Sequence, residues 1–434
     1  MKDHLERIQF TLDYIENNLK TEITVQELSE TAGYSYFHYC QLFQSATGMS
    51  VKHYLVSRRL KHAIYEMSKG SQKLQVAMTY GFNTYSGFYK AFLKEYHCNP
   101  SEYLKSYKPA KPYKIHLMQE EKIMLTQKTI KKLLVHWGME DRRISNVYYE
   151  GSEQISDNDF HIGDEYILKI STFPGGLKRH IDISHALQKS GLTVSVPIPA
   201  RDGELIIQDE DLYCILCKRL TGTRQNSKTL FENCDTKIAY QFGKFIGKLH
   251  LSLEQLDPSL CKENHLYRSI HEWALPRIQK TINLSHSFIA EYDAKFGAIY
   301  QELPKQIIHR NMNLSYVYME NGEMIGITDF ELSEYSIRLF DVCYAATGIL
   351  TENFTNKHTD MQKWLLIYQN LLKGYDEVVH LLDIEKEILP YVVLSIQFIC
   401  IAYFSDKEKY ADLKKINEQM LELLLDHKES LVFL

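Results

Sequence analysis

The N-terminus of this 434-residue chain, MKDHLERIQF, lacks the apolar core expected of a secretory signal and opens on charge instead. The longest greasy run, YVVLSIQFICIAYF (391–404), holds fourteen residues, Ser395 and Gln397 among them. A bilayer-spanning helix needs roughly 20, so the run is expected to be a buried helix of a cytoplasmic protein that meets no membrane. Eight cysteines are scattered without a framework, which fits a reducing compartment better than a disulfide scaffold. The one suggestive pair, Cys214 and Cys217 in LYCILCK, lies in a strand-like run where residues three apart point to opposite faces. Core packing is therefore expected of both, and a metal or redox pair is not.

What is present is enough apolar residue, 44%, to fill more than one core, and the length implies two or more domains. The net charge of −5 conceals an asymmetry: residues 1–110 hold 13 Lys/Arg against 10 Asp/Glu, while the remainder is acidic by eight. Within 31–94, eight basic residues (Lys52, Arg58, Arg59, Lys61, Lys69, Lys73, Lys90, Lys94) face the single acid Glu66. Such a segment suits a polyanion, and a solvated basic face is the plainer alternative.

The first hundred residues read as helical throughout, with Leu5, Ile8, Leu12 and Ile15, and later Leu60, Ala63, Ile64 and Met67, at helical spacing. Proline and glycine punctuate these helices rather than interrupt them. KPAKPYKIHLMQEE, around 108–121, carries two prolines, three lysines and then acids, which reads as a linker. From 122 to 220 a helix, TQKTIKKLLVHWG, precedes the strand-like runs NVYYEG, EYILKIS, GELIIQ and DLYCILCKRL, with one amphipathic helix near 177–190. Helices dominate from about 235, broken by short strands around YVYME and MIGIT. The boundaries so drawn are 1–108, a linker 109–121, a sheet-rich lobe 122–220 and a helical lobe 221–434.

Two segments of the first domain share one design. Residues 23–50 and 73–104 each hold a short helix, a glycine turn (Gly33, Gly81), a polar capping residue (Ser35; Asn83 or Thr84) and a second helix, 36–44 and 85–94. That is helix-turn-helix grammar written twice. The second segment, YGFNTYSGFYKAFLKEYHCNPSEYL, resembles the signature of the AraC/XylS family of transcription regulators through Ala77, Gly81, Phe82, Ser86, Phe88, Lys90, Phe92, Lys94, Pro100 and Tyr103. Leu93, His97 and Asn99 depart from its basic, glycine and Ser/Thr positions. The first segment fits through Ser35, Phe43, Gly48, Tyr54, Arg58, Arg59, Leu60 and Ala63. The joining helix, roughly 51–68, spans about 27 Å at 1.5 Å per residue, near the ~34 Å between successive major-groove faces. By position the resemblance implies contacts to duplex DNA from Tyr36, Phe37, Cys40, Gln41 and Gln44, and from Tyr85, Ser86, Tyr89 and Lys90. Phe37 and Tyr89 have a second reading as core aromatics; Gln41 and Lys90 do not belong in a core.

Further on, IIHRNMNLSYVYMENGEMIGITDFELSEYSIRLFDV (307–342) keeps a frame and lacks its chemistry. It resembles the catalytic segment of the aminoglycoside phosphotransferase and choline kinase family, in which H-x-D-x-x-x-x-N precedes a strand pair and I-D-F/W. His309, Asp329 and Asp341 match that pattern. Upstream, GKFIGKLH ending at His250 and YILKIS containing Lys169 fit the family's helix and its phosphate-contacting lysine. The likeness runs over roughly 125–434 and implies an α+β, protein-kinase-like bilobal fold behind an all-α double helix-turn-helix domain.

Two positions break the pattern, since Asn311 stands for the catalytic aspartate and Tyr316 for the metal-binding asparagine. The nearest downstream acid is Glu320, nine residues past Asn311. His180 falls where a glutamate normally pairs with the lysine, with Asp182 close by. Phosphoryl transfer depends on a base that aligns the acceptor and on Mg²⁺ that offsets phosphate charge. A neutral amide takes no proton, and general-base help is typically worth ~10²–10⁴-fold.

The expectation is therefore a one-component transcription regulator and not an enzyme. Its kinase-like domain senses a small-molecule effector through Lys169, Asn311, Tyr316 and Asp329. No cofactor is required; a nucleotide, or Mg²⁺ on Asp329, is what the resemblance leaves open, and Lys169 paired to Asp329 is the structural alternative. Duplex DNA, the effector and RNA polymerase are the implied partners. The rival reading is an active small-molecule phosphotransferase that carries a DNA-binding arm, for which Lys169 and Asp329 argue.

Overall fold

The computed structural model describes residues 2–47, 49–96, 99–106, 109, 112, 127–149, 154–172, 174–189, 191–210, 212–279, 281–355, 359–405 and 411–433. The expected linker falls almost wholly outside these residues. Two compact units emerge, Met1–Pro174 with Ile198–Cys217, and Gly175–Pro197 with Lys218–Leu434.

Seven helices open the chain: α1 (Lys2–Asn17), α2 (Val25–Thr31), α3 (Tyr36–Thr47), α4 (Val51–Ser68), α5 (Lys73–Thr79), α6 (Tyr85–Tyr96) and α7 (Pro100–Ser106). Local chemistry sets their starts. Thr24 accepts from Glu27 N at 3.1 Å, Ser50 from His53 N at 3.3 Å and Thr84 from Gly87 N at 3.0 Å, each covering a backbone donor that the first turn leaves unpaired. Asn99, in the family's Ser/Thr place, takes Ser101 N and Glu102 N at 3.0 and 2.9 Å while Glu102 accepts Asn99 N at 3.1 Å, a reciprocal cap around Pro100. Gly33 and Gly81 both turn the chain at positive φ, +72° and +77°.

Ile8, Leu12, Ile15, Tyr39, Phe43, Tyr54, Leu60, Phe88 and Phe92 close one core around α4. Arg58, expected as a surface cation, lies inside it. Its guanidinium meets Glu16 at 2.5 and 2.8 Å with both side chains 3% exposed, and His62 adds a contact to the same carboxylate at 3.2 Å. Arg59 donates to the carbonyls of Leu19 and Thr21 at 3.0 and 2.6 Å. Arg58 and Arg59 thus hold the domain together, and Lys73 ties α5 to α7 through Ser101 at 2.8 Å.

Beyond the linker, α8 (Gln127–Leu134) is followed by strands β1 (Ile144–Tyr149), β2 (Gln154–Ile162), β3 (Tyr166–Ser171), β4 (Thr193–Val194), β5 (Ile207–Asp209), β6 (Leu212–Lys218), β7 (Thr223–Arg224), β8 (Lys305–Ile308), β9 (Val317–Glu320), β10 (Glu323–Ile327) and β11 (Glu334–Ile337). Helix α9 (Pro174–Lys189) lies between β3 and β4. The first five-stranded sheet runs β1-β2-β3-β6-β5, and Cys214 and Cys217 are fully buried in it, one to each face of β6. Burial pushes the Cys214 thiol up to about 12, which suits packing and not redox work. GELIIQ forms a strand only from Ile207, because Asp202 and Gly203 (φ +92°) turn the chain ahead of it.

In the second unit β4-β10-β9-β7 form one sheet and β11-β8 a small antiparallel pair. Its core runs through α10 (Ser227–Glu232), α11 (Thr236–Glu254) and the long C-terminal helices. The greasy run belongs to a longer helix than its fourteen residues suggested, Asp383–Ser405, 23 residues. It is long and apolar enough to cross a membrane by composition, but 72% of its most hydrophobic window is buried against the rest of the chain.

Candidate functional site

The helix-turn-helix units present two exposed helix faces. On α3, Tyr39 and Phe43 go into the core while Tyr36, Phe37, Gln41 and Gln44 face solvent. Phe37 is 81% exposed, so its reading as a core aromatic is overturned: position 37 lies on the helix face away from α1 and α4. Cys40 is half-buried against the core. On α6, Phe88 and Phe92 are buried and Ser86, Tyr89 and Lys90 are exposed, with Tyr89 38% accessible. Tyr85 is half-buried, its ring stacked 5.8 Å from that of Phe88. Between the two units α4 spans the expected Val51–Ser68.

The phosphotransferase-like segment starts where β8 ends. His309 is fully buried, and its ring bridges Thr328 O at 2.8 Å and the backbone N–H of Asn311 at 3.3 Å; a proton on Nε2 satisfies both. Asp341, at the start of the helix Leu339–Asn353, accepts the backbone N–H of His309 at 2.7 Å and of Arg310 at 2.8 Å, and faces His250 Nε2 at 3.1 Å. Burial alone would push its carboxyl up; the bond and charge of His250, then His309, outweigh it and hold Asp341 below the usual carboxylate range. The structural aspartate is thus the clamp on the loop, which lets Arg310 sit at φ +74°. The Arg310 side chain pairs with Glu334 at 2.8 Å and lies over the Phe340 ring at 4.0 Å.

Asn311 leaves this clamp with its amide engaged. Tyr344 donates to its Oδ1 at 3.1 Å, and its Nδ2 faces the Tyr316 hydroxyl at 3.5 Å. Tyr316 ends a 3₁₀ turn, Leu314–Tyr316, before the β9–β10 hairpin, whose Asn321 and Gly322 both take the positive φ of a tight two-residue turn. Asp329 follows β10 with φ +82° and ψ +54°, a left-handed conformation rare for a residue other than glycine. The structure therefore brings Asn311 and Tyr316 into contact and sets Asp329 beside the His309-bound Thr328.

His180 is wholly buried where the family has a glutamate. Its Nδ1 accepts the backbone N–H of Phe330 at 3.3 Å and its Nε2 donates to Ser195 O at 2.9 Å. Arg179 adds two bonds to Glu331 O, at 3.1 and 2.7 Å, so α9 is fastened to the residues following Asp329. Asp182 pairs instead with Lys178 at 3.5 Å, one turn away on α9. Lys169, in the other unit, is buried on β3 with its ammonium 3.7 Å from Asp159, its cross-strand neighbour on β2. Sequence reasoning missed Tyr344 and Arg179; neither stands in a motif, and only the fold brings them to Asn311 and Glu331. Among the described residues no three His, Cys, Asp or Glu side chains converge as metal ligands.

Comparison with known proteins agrees with both halves. The helix-turn-helix domain profile matches residues 28–106 and the phosphotransferase enzyme family profile residues 151–375. The uncharacterized HTH-type transcriptional regulator YbfP of Bacillus subtilis (strain 168) is 31% identical over 97 residues, 22% of this chain and 33% of the relative. The multiple antibiotic resistance protein MarA of Escherichia coli (strain K12) is 29% identical over 97 residues, 22% of this chain and 76% of the relative. The chain thus spans only a third of the length of the Bacillus relative. Among solved structures, the amicoumacin kinase hAmiN in complex with AMP-PNP, Ca²⁺ and Ami superposes with a TM-score of 0.53 at 14% identity, over 68% of this chain and 93% of that one. A microcompartment-associated aminopropanol kinase gives 0.53 at 15%, over 70% and 98%. Identities this low speak to fold alone. The phosphotransferase match covers 225 of 434 residues, and the chain therefore belongs to the phosphotransferase enzyme family, with a DNA-binding helix-turn-helix regulator domain of AraC type joined to it on the N-terminal side.

Proposed function

We propose that the chain is a cytoplasmic transcription regulator whose phosphotransferase-family domain binds a small-molecule effector around Asn311, Tyr316 and Asp329 without transferring phosphate. The observation that supports this reading is the state of Asn311: the residue in the base position is a neutral amide held between two phenols. Asp341, the carboxylate that holds this loop's backbone, is fully buried and already accepts three donors. A base there would have to give up the loop's own geometry.

The donor set also does not fit the magnesium ion such enzymes use. Mg²⁺ takes oxygen ligands in near-ideal octahedral geometry, and a neutral phenol at Tyr316 is a poor substitute for the amide oxygen, leaving Asp329 as the single anionic donor of the pattern. Recognition by shape and hydrogen bonds needs neither group.

The test is to incubate the full chain with Mg²⁺ and labelled ATP or GTP in the presence of kanamycin, choline or simple sugars, and separately to follow its retention of duplex DNA. The expected result is no transfer above background together with DNA retention. A second reading, an active phosphotransferase, is favoured by the retained Lys169 and Asp329. Turnover that vanishes in Asp329→Ala would establish it.

A further inference from the structure

The two helix-turn-helix units have the same architecture and opposite electrostatics. Residues 21–51 contain no lysine or arginine and three glutamates, Glu22, Glu27 and Glu30. A cation that reaches the first unit's turn, Arg7 of α1, is engaged there: it donates to Ala32 O at 3.3 Å and lies 5.5 Å over the Tyr34 ring. The exposed face of α3 is made of Phe37, Gln41 and Gln44, at i, i+4 and i+7, flanked by Tyr36. The second unit, 73–104, carries Lys73, Lys90 and Lys94, of which Lys90 and Lys94 are exposed on α6. Its two acids are occupied, Glu95 by His53 at 3.0 Å and Glu102 in the cap of α7.

A face without cations gains little from phosphates, whose attraction and counterion release need Lys or Arg. It can still read bases. A glutamine amide pairs two-fold with the N6 and N7 edge of adenine, and an exposed aromatic ring packs on the thymine methyl. A lysine-bearing face does the converse, gripping the backbone and setting register.

We infer that the two units divide the labour on one bipartite operator: α3 reads an A·T-rich half-site with Phe37, Gln41 and Gln44, while α6 anchors the adjacent half through Lys90 and Lys94. The inference rests on the DNA-contact assignment of these two faces. With α4 about 27 Å long between them, the two halves fall about one helical turn apart.

The test is selection of duplexes from a randomised pool by the full chain, followed by thymine-to-deoxyuridine replacement, which removes only the methyl. The half-site read by α3 is the one whose preference relaxes in Gln41→Ala. Replacing its thymines is expected to weaken binding severalfold in the wild type and to have no effect in Phe37→Ala. Lys90→Gln is expected to lower the slope of log affinity against log salt by about 1 without changing the selected sequence, and Gln41→Ala to leave that slope alone. Deoxyuridine that is neutral in both halves, or a salt slope that follows Gln41 and not Lys90, overturns the division of labour while leaving DNA binding standing. Failure to enrich any duplex overturns the DNA-contact assignment and this inference with it.

Discussion

Tyr344 reaches across from the helix Leu339–Asn353 to donate its hydroxyl to Asn311 Oδ1 at 3.1 Å, and Asn311 Nδ2 faces the Tyr316 hydroxyl at 3.5 Å. The amide therefore links two phenols, one half-buried on the helix and one at the edge of the loop. An aspartate at 311 would keep the Tyr344 bond, since a carboxylate accepts at either oxygen. Restoring the base and the metal amide together is therefore a compatible change.

Asn311→Asp combined with Tyr316→Asn is expected to raise Mg²⁺-dependent release of phosphate from ATP by ~10²–10⁴-fold over the wild type, the usual worth of general-base help. Asn311→Asp alone is expected to gain little, because Tyr316 still stands in the metal amide's place. Steady-state phosphate release with and without EDTA measures both. A double variant no faster than the wild type would mean that more than these two positions separates the chain from an enzyme.

Asp341 and Glu16 give the stability of the two domains a common acid limb. Burial pushes the Glu16 carboxyl up, but His62 and Arg58 outweigh it and leave it lowered, as His250 and His309 do for Asp341. A folded pKa below the unfolded value, about 4, means the unfolded chain binds more protons near that pH. The stabilisation is then fully present above pH ~4 and is lost as pH falls through the lowered values. Glu334, pushed up by burial against the opposing pull of Arg310, works the other way: it favours the folded state in acid, and that contribution is lost as pH rises through its raised value. Asp341→Asn is expected to cost ~3–5 kcal/mol, as for other broken buried pairs, and to flatten the acid limb of the phosphotransferase domain. Thermal unfolding between pH 3 and 7 checks both signs.

Two helices of the phosphotransferase domain approach so closely that only glycine fits. A Cβ on Gly243 of α11 would lie 1.9 Å from Leu371 O, and one on Gly374 of Met361–Val379 would lie 2.0 Å from Tyr240 O. Backbone cannot step aside as a side chain can. Gly243→Ala and Gly374→Ala are each expected to destabilise by at least the ~1–3 kcal/mol of ordinary overpacking, despite the better helix propensity of alanine. Gly191→Ala, which meets nothing within 4 Å, is expected to cost only the strain of its positive φ of +87°. Melting temperatures of the three variants separate the two causes.

Helix α4 matches its expected bounds because Ser50 caps it and its apolar spacing is regular. Strand β2, QISDNDFHI, escaped notice because its polar residues are bonded locally: Ser156 and Asp159 pair at 2.9 Å, and Asp159 also faces Lys169. Strands β8 and β11 are four residues each, and β11 owes its place to β8 rather than to its own pattern, with Glu334 opposite Ile308. In the site, Asn311 and Tyr316 were legible because each stands at a fixed spacing from His309. The side chains that decide their chemistry were not, since Tyr344 is 33 residues from Asn311 and His180 is 150 residues from Phe330. Local spacing carries motifs, and tertiary partners carry no local signal.

If the phosphotransferase domain is a sensor, an effector bound near Tyr316 must change affinity for DNA, and DNA must change affinity for the effector by the same factor. The expected coupling is ~5–150-fold, ~1–3 kcal/mol. Tyr316 is the residue to vary, because its ring is half-buried and packed against the domain core while its hydroxyl is already turned towards Asn311. Tyr316→Phe keeps the ring and removes the hydroxyl; Tyr316→Ala removes both. With a compound that raises the melting temperature of the full chain in a screen, Tyr316→Ala is expected to weaken binding by tenfold or more, and Tyr316→Phe by less. Both are expected to leave effector-free DNA binding unchanged, since the helix-turn-helix faces are built without this residue. Titration of each variant with compound, with and without operator duplex, measures the coupling directly. A compound that binds equally well in both states couples nothing however tightly it binds, and that result, repeated for every compound found, would reduce the domain to a passenger and end the sensor reading.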